Sequence, residues 1–179
     1  MGSNEQTTRC ADYIAAAVCL GLLLAGCFAA CRRANTEGAL VSASLSLRSY
    51  VQSNLHGGPG NGAGVFFPQL EIYNRLGELV YSSHESLANA RILQSLPGSI
   101  DGLRPKPEGG HLAEVLEETP EFRERKQDVL GRRHISVLSV FLEDCHACAV
   151  QEGALSDAQN RLLSGGVNLL VIRVSRPAS

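Results

Sequence analysis

The chain has 179 residues, room for one domain of about 100–150 residues plus an additional segment, but not for two full domains. Hydrophobic residues make up 44 % and charged residues 19 %, a balance that can bury a core and excludes a wholly disordered chain. Sixteen basic and eighteen acidic side chains give a formal charge of −2, and there is no Trp. Without a basic tract or an aromatic stacking platform, the footprint of a nucleic-acid binder is missing.

The additional segment is the N-terminus. Between Asp12 and Arg32, the 19 residues from Tyr13 to Cys31 carry no charge. As an apolar helix they would span about 28 Å, close to the hydrocarbon thickness of a bilayer. Two readings compete. Leu24-Ala25-Gly26-Cys27 resembles the lipobox of bacterial lipoprotein signal peptides. That resemblance implies lipidation of Cys27 and a mature chain in the cell envelope, facing the periplasm or the exterior. The rival is an uncleaved membrane anchor: Arg9 is the only base ahead of the run, whereas Arg32 and Arg33 follow it, which favours a cytoplasmic C-terminus. Both readings attach residues 1–33 to a membrane. Cys10, Cys19 and Cys31 lie in or beside this segment, where cysteine behaves as a small hydrophobe.

Residues 34–64 mix small and polar side chains and end in a glycine-dense run, His56 to Gly64, which reads as a flexible tether. Within it, Val41 to Tyr50 could form only a short element. The folded domain is expected over 65–179. Gln69 to Tyr73 and Glu78 to Ser82 flank Asn74-Arg75-Leu76-Gly77 as a β-hairpin, with Gly where a positive φ is wanted. Leu70, Ile72, Leu79 and Tyr81 alternate with polar neighbours. Ser82 with Glu85 reads as a capping box opening a helix to about Ser95. A loop follows from Pro97 to Gly110, then a short helix from His111 to Glu118 with Leu112, Val115 and Leu116 on one face. Thr119 caps a further helix with Pro120 at its first position; Phe122, Lys126, Val129 and Leu130 fit its inner face, and Gly131 ends it. The charged side chains from Glu114 to Lys126 read as a solvated helix face, and His56, His84 and His111 as surface residues.

The last third is the clearest. Ile135 to Leu142 is an apolar, β-branched strand. Cys148 to Ser164 has helical spacing in Val150, Ala154, Ala158 and Leu162, stopped by Gly165-Gly166. Val167 to Val174 is nearly unbroken apolar, the mark of a strand covered on both faces. Strand, helix and strand in this order form a right-handed βαβ unit with parallel strands.

At the strand–helix turn of that unit stand Cys145-His146-Ala147-Cys148. A helix N-terminus stabilises a thiolate on the first cysteine and lowers its pKa, and a second thiol one turn on can attack a mixed disulfide. Three uses of the pair stay open: redox exchange, a soft-metal site completed by His146 and a remote His134, or an inert structural pair. The missing fourth ligand counts against zinc.

The stretch Val137 to Cys148 resembles the hydrophobic strand and active-site motif of the thioredoxin-like thiol–disulfide oxidoreductases, and the resemblance runs in order from Ile135 to Val174. It implies Cys145 as nucleophile and Cys148 as resolving thiol, with no cofactor and with a protein thiol or disulfide as partner. His146 would tune the pair toward the thiolate when protonated. Asp144 stands where that family commonly has Trp; as a charge it would raise the Cys145 pKa, unless it is spent as the helix N-cap.

The family continues after this unit with a helix, a cis-proline, a hairpin and a final helix, whereas here the sequence ends five residues past Val174. Gly64 to Tyr81 resembles the missing piece, placed upstream: Phe67-Pro68, a hairpin, then a helix. The resemblance therefore implies a circularly permuted, thioredoxin-like mixed sheet of α/β class with flanking helices. Its expected sheet order is Val167–Val174, Ile135–Leu142, Gln69–Tyr73, Glu78–Ser82. Pro68, with Phe67, would position substrate; the alternative is an ordinary trans residue opening an edge strand. The function so implied is a membrane-tethered thiol–disulfide oxidoreductase. Its rivals are a non-catalytic cell-envelope domain, a soft-metal binding module using the same cysteines, and a sensing module.

Overall fold

The computed structural model describes residues 37–53, 65–100, 102–107, 110–131 and 134–176. The chain divides into units 1–36 and 37–179, and every described residue belongs to the second. The apolar segment with Cys27, the other N-terminal cysteines, His56 and the glycine run 57–64 lie outside the described residues. Among the described residues no helix is long and apolar enough to cross a membrane.

Among the described residues five strands form one mixed sheet: β1 (Leu40–Ser46), β2 (Gln69–Tyr73), β3 (Leu79–Ser83), β4 (Ile135–Leu142) and β5 (Val167–Ser175). Their order is β1-β5-β4-β2-β3. β1, β5 and β4 run parallel, and β2 is antiparallel to both β4 and β3. The four strands read from the sequence thus lie in the expected order, within a residue or two of the expected ends. Among the described residues six α-helices flank the sheet: α1 (Leu47–Gln52), α2 (Ser86–Ser95), α3 (Leu112–Val115), α4 (Pro120–Glu124), α5 (Lys126–Leu130) and α6 (His146–Ser164). Leu138, Val140, Leu170 and Ile172 point to one core with Tyr50, Leu116, Phe122 and Val129. Val137, Phe141, Leu169 and Val171 point to the other, with Leu93 of α2 and with Ala154, Ala158 and Leu162 of α6. This is the period-two alternation of a central sheet covered on both faces.

Several expectations are corrected. Residues 40–52, read as tether, form a strand and a helix of the domain, so the domain does not begin at Val65. Leu40–Ser46 becomes a strand because β5 offers a parallel partner over seven residues, Leu40↔Leu169 through Ser46↔Ser175. Its Val41 and Ala43 are buried while Leu40, Ser42 and Ser44 are exposed. Ser46 then caps α1, its Oγ accepting from the Ser49 N–H at 3.1 Å. The helix α2 starts after Glu85 without a side-chain cap; Ser83 Oγ, not Ser82, accepts from the Glu85 N–H, at 3.0 Å. In the hairpin, the register shifts between Ile72 and Tyr73, which sets Leu79 opposite Tyr73 and in the first core, away from Leu70 and Ile72. Arg125 breaks the helix expected after Thr119 into α4 and α5. Val150 is 44 % exposed instead of facing inward. The inner face of α6 runs through Cys148, Gln151, Ala154, Leu155, Ala158 and Leu162.

Other local signals hold. Gly77 has φ 79° and closes the hairpin turn, with Asn74 Oδ1 accepting from the N–H groups of Leu76 (2.9 Å) and Glu78 (3.1 Å). Thr119 Oγ1 accepts from the Phe122 N–H at 3.2 Å. The charged face resolves into exposed pairs: Glu117 with Arg123 and Lys126, and Arg125 with Asp128.

Gly38 leads into β1 so closely against β5 that an added Cβ would lie 1.9 Å from the Val167 carbonyl oxygen. Gly38→Ala is therefore expected to cost about 1–3 kcal/mol, measured by urea denaturation. A variant as stable as the wild type would mean that this segment is not docked on the sheet.

Candidate functional site: the Cys145–Cys148 turn

β4 and β5 run parallel at the centre of the sheet, and the chain leaves β4 at its C-terminal end to enter α6. Two residues make the turn. The Glu143 N–H donates to the Val174 carbonyl at 2.9 Å, holding the turn to the end of β5. Asp144 sits at φ 57°, in the left-handed region that an Asp tolerates better than most side chains. Cys145 follows with an extended backbone and is itself the N-cap of the 19-residue helix, its Sγ accepting from the Cys148 N–H at 3.2 Å.

This corrects one sequence-based expectation and closes one of two alternatives. The helix begins at His146 and not at Cys148, and Asp144 is not its cap. A sulfur occupies the capping position that sequence patterns assign to Ser, Thr, Asp or Asn. Cys145 is half-buried and Cys148 is 2 % exposed. Their Cα atoms are 5.2 Å apart and their sulfurs lie at disulfide-bonding distance. His146 and Asp144 are exposed, one on either side of Cys145. The start of α2 abuts the turn, with Ser86 Oγ donating to the Ala147 carbonyl at 2.7 Å. An open pocket of ≈ 590 Å³ also adjoins both cysteines. In its wall Arg173 pairs with Glu152 at 2.6 Å and lies over the Phe141 ring at 6.0 Å.

Pro68 stands at the same end of the sheet. Gln69 pairs with Val140, so antiparallel register carries the start of β2 alongside the end of β4, from which the chain runs to Cys145. The Phe67–Pro68 peptide bond is cis, as is Leu96–Pro97, which had no sequence signal. Phe67 packs on Tyr50 of α1 with ring centroids 5.3 Å apart, and the exposed Phe66 lies 5.7 Å from the His84 ring.

His134 is not at this site. It immediately precedes the eight-residue β4, while Cys145 follows that strand; at about 3.3 Å per residue the two ends are roughly 26 Å apart. The metal set that would have joined them is therefore not assembled. Among the described residues no group of three or more His, Cys, Asp or Glu could hold a metal ion.

The residues that sequence reasoning missed are the buried polar ones around Gln69. On one face, Tyr50 donates its hydroxyl to Gln69 Oε1 (2.5 Å), Gln69 Nε2 donates to Glu71 Oε1 (2.7 Å), and Tyr73 donates to Glu71 Oε2 (2.5 Å). On the other, the Gln69 carbonyl accepts from Gln151 of α6 at 3.0 Å. In sequence, Gln69 and Glu71 are the polar half of an alternating strand, the usual mark of a solvated face. Only the packing of α1 and of the segment 110–131 over that face makes them a buried network.

Glu71 is 4 % exposed. Burial pushes its carboxyl up from the ordinary value of 4.5, against the hydrogen bonds from Tyr73 and Gln69 and the charge of Lys106, which pull it down. Burial also raises the Tyr50 and Tyr73 hydroxyls, reinforced by the Glu71 charge.

Compared with protein-family models, with curated proteins and with solved structures, the chain matches none.

Because the folded chain keeps a proton on Glu71 that the unfolded chain releases above pH 4.5, this residue's contribution is fully present below that pH and is lost as pH rises through the raised folded value. Glu71→Gln is expected to remove this decline and to leave the domain at least as stable as the wild type at pH 7. Urea denaturation at a series of pH values from 4.5 upward checks it; an unchanged pH slope in the variant would contradict the assignment.

Proposed function

We propose that the folded domain is a circularly permuted thioredoxin-like domain and that it carries out thiol–disulfide exchange. Further, we propose the particular form of a membrane-tethered oxidoreductase acting on a protein thiol or disulfide, with no cofactor. The observation that carries the reading is the placement of Cys145. It caps a long helix, is partly accessible, and has a buried partner cysteine at disulfide distance one turn inside. The fold reading is supported by the sheet order, by the parallel β4–α6–β5 unit, and by an antiparallel hairpin that lies beside the cysteine-bearing strand yet precedes it in sequence. The tether reading rests on the apolar segment 13–31 and Cys27.

In this mechanism the Cys145 thiolate attacks one sulfur of a partner disulfide. A mixed disulfide forms and the partner's other sulfur leaves as a thiolate. Cys148 then loses its proton and attacks Cys145 Sγ, closing the 145–148 disulfide and releasing the second partner thiol. Two electrons have passed to the partner, and the reverse sequence returns them.

Helix N-terminal N–H groups and the helix dipole favour the anion at Cys145, while burial opposes it at Cys148. Attack through Cys145 and resolution by Cys148 follow from that difference. Exposed His146 adds positive charge when protonated and exposed Asp144 negative charge, so the two tune the thiolate in opposite directions. Pro68, buried at the adjoining end of β2, and the half-buried Phe67 are the residues proposed to shape the edge along which the partner's backbone would lie.

Cys145→Ser is expected to abolish exchange with a peptide disulfide. Cys148→Ser should instead accumulate a mixed disulfide through Cys145, because attack proceeds and resolution cannot. Intact-mass analysis after incubation reads both outcomes. Absence of a trapped species, together with an inactive wild type, would leave the non-catalytic envelope domain as the better reading.

A further inference from the structure

The polar groups buried behind Cys148 form a connected set. Gln151 lies one helical turn beyond Cys148 and is fully buried. Its Nε2 donates to Ser139 Oγ on β4 (2.7 Å) and to the main-chain carbonyl of Gln69 on β2 (3.0 Å). Its Oε1 accepts from Asn89 Nδ2 on α2 (2.5 Å). Asn89 is itself held, accepting from the Tyr81 hydroxyl at 3.0 Å and donating to the Ser83 carbonyl at 3.3 Å. One side chain thus joins the first turns of α6 to the strand from which that helix springs, to the neighbouring helix, and to the residue that directly follows Pro68.

A buried amide costs stability unless its hydrogen bonds are made. When they are made, they impose directions that apolar packing does not. The direction matters here because the Cys148 N–H must stay on Cys145 Sγ, a bond that becomes charge-assisted once Cys145 is a thiolate.

We propose that Gln151 is a positioning residue for the cysteine pair: by fixing the start of α6 against β4 and the Pro68 end of β2, it stabilises the reduced, thiolate form of Cys145. The inference rests on the thiol–disulfide reading above. Without the amide, the first turn of α6 is free to shift, the thiolate loses part of its N–H donor, and the disulfide becomes harder to reduce.

The test is the equilibrium of the full chain with glutathione, in which the 145–148 disulfide and two glutathione thiols give the dithiol and glutathione disulfide. Gln151→Met, close in volume but without the amide, is expected to lower this constant by about fivefold or more. Asn89→Ala removes the donor to Gln151 from a different helix and should move it the same way, which decides the matter if the first variant does not fold. Leu162→Ala, fully buried farther along the same helix, should weaken the fold yet leave the constant within about twofold. Gln151→Met and Asn89→Ala constants equal to the wild type overturn the proposal, as does an equal shift in Leu162→Ala. A wild type that does not exchange with glutathione overturns the thiol–disulfide reading itself, and the proposal with it.

Discussion

The N–H of Cys148, pointed at the sulfur of Cys145 at 3.2 Å, is the contact on which the candidate site depends. Making it requires the chain to leave β4, turn through Asp144 in a left-handed conformation, and begin a helix with sulfur where an oxygen cap normally stands. The first turn of any helix has N–H groups without intrahelical partners and the positive end of the peptide dipoles. A thiolate at such a position gains charge-assisted hydrogen bonds that a thiol does not, and on the proposed function this is what would bias Cys145 toward the reactive form. Cys148 faces the second core, among Phe141, Leu155 and Val171, where the same charge would be penalised. On the proposed function, three residues of separation would make two identical side chains chemically different.

That turn stays in place because the sheet beneath it is covered on both faces. A central strand so buried must satisfy every polar group it carries, and β2 carries Gln69 and Glu71. Gln69 is where the two sides meet: its side chain is engaged by Tyr50 and Glu71 on one face, and its carbonyl by Gln151 on the other. Its main chain pairs with Val140 in β4. The end of β2 that bears Pro68 is thereby fixed relative to the end of β4 that leads to Cys145, from three directions.

The sequence made some of this legible and hid the rest for physical reasons. The strands Ile135–Leu142 and Val167–Val174 are apolar enough to be bounded by inspection, the latter to within one residue of its end in the structure, and Asn74 with Gly77 marks the hairpin through local turn chemistry that needs no tertiary partner. The cysteine spacing pointed to the candidate site. β1 was hidden because Leu-Val-Ser-Ala-Ser-Leu-Ser has little strand preference of its own; it becomes a strand only by pairing with β5, more than a hundred residues away. Gln151, Asn89 and Glu71 were hidden for a related reason. A polar side chain is read as solvated until distant segments are seen to bury and satisfy it. Gln151 finds its partners on β2, β4 and α2, Asn89 on β3 and α6, while Glu71 is bonded by Gln69 and Tyr73 of its own strand and owes only its burial to distant segments. The cap at Cys145 was missed because capping patterns look for oxygen, which drew attention to Asp144 next door.

The central claim is that the fold makes Cys145 and Cys148 unequal. It is tested most directly by the rate of alkylation of each thiol in the reduced protein as a function of pH, followed site by site by mass spectrometry. Cys145 should react along a titration curve lying below the ordinary thiol value of about 8.5, while Cys148 reacts slowly across the same range. Two indistinguishable curves centred near about 8.5 would contradict it, since neither the helix terminus nor the burial would then be acting on the sulfurs.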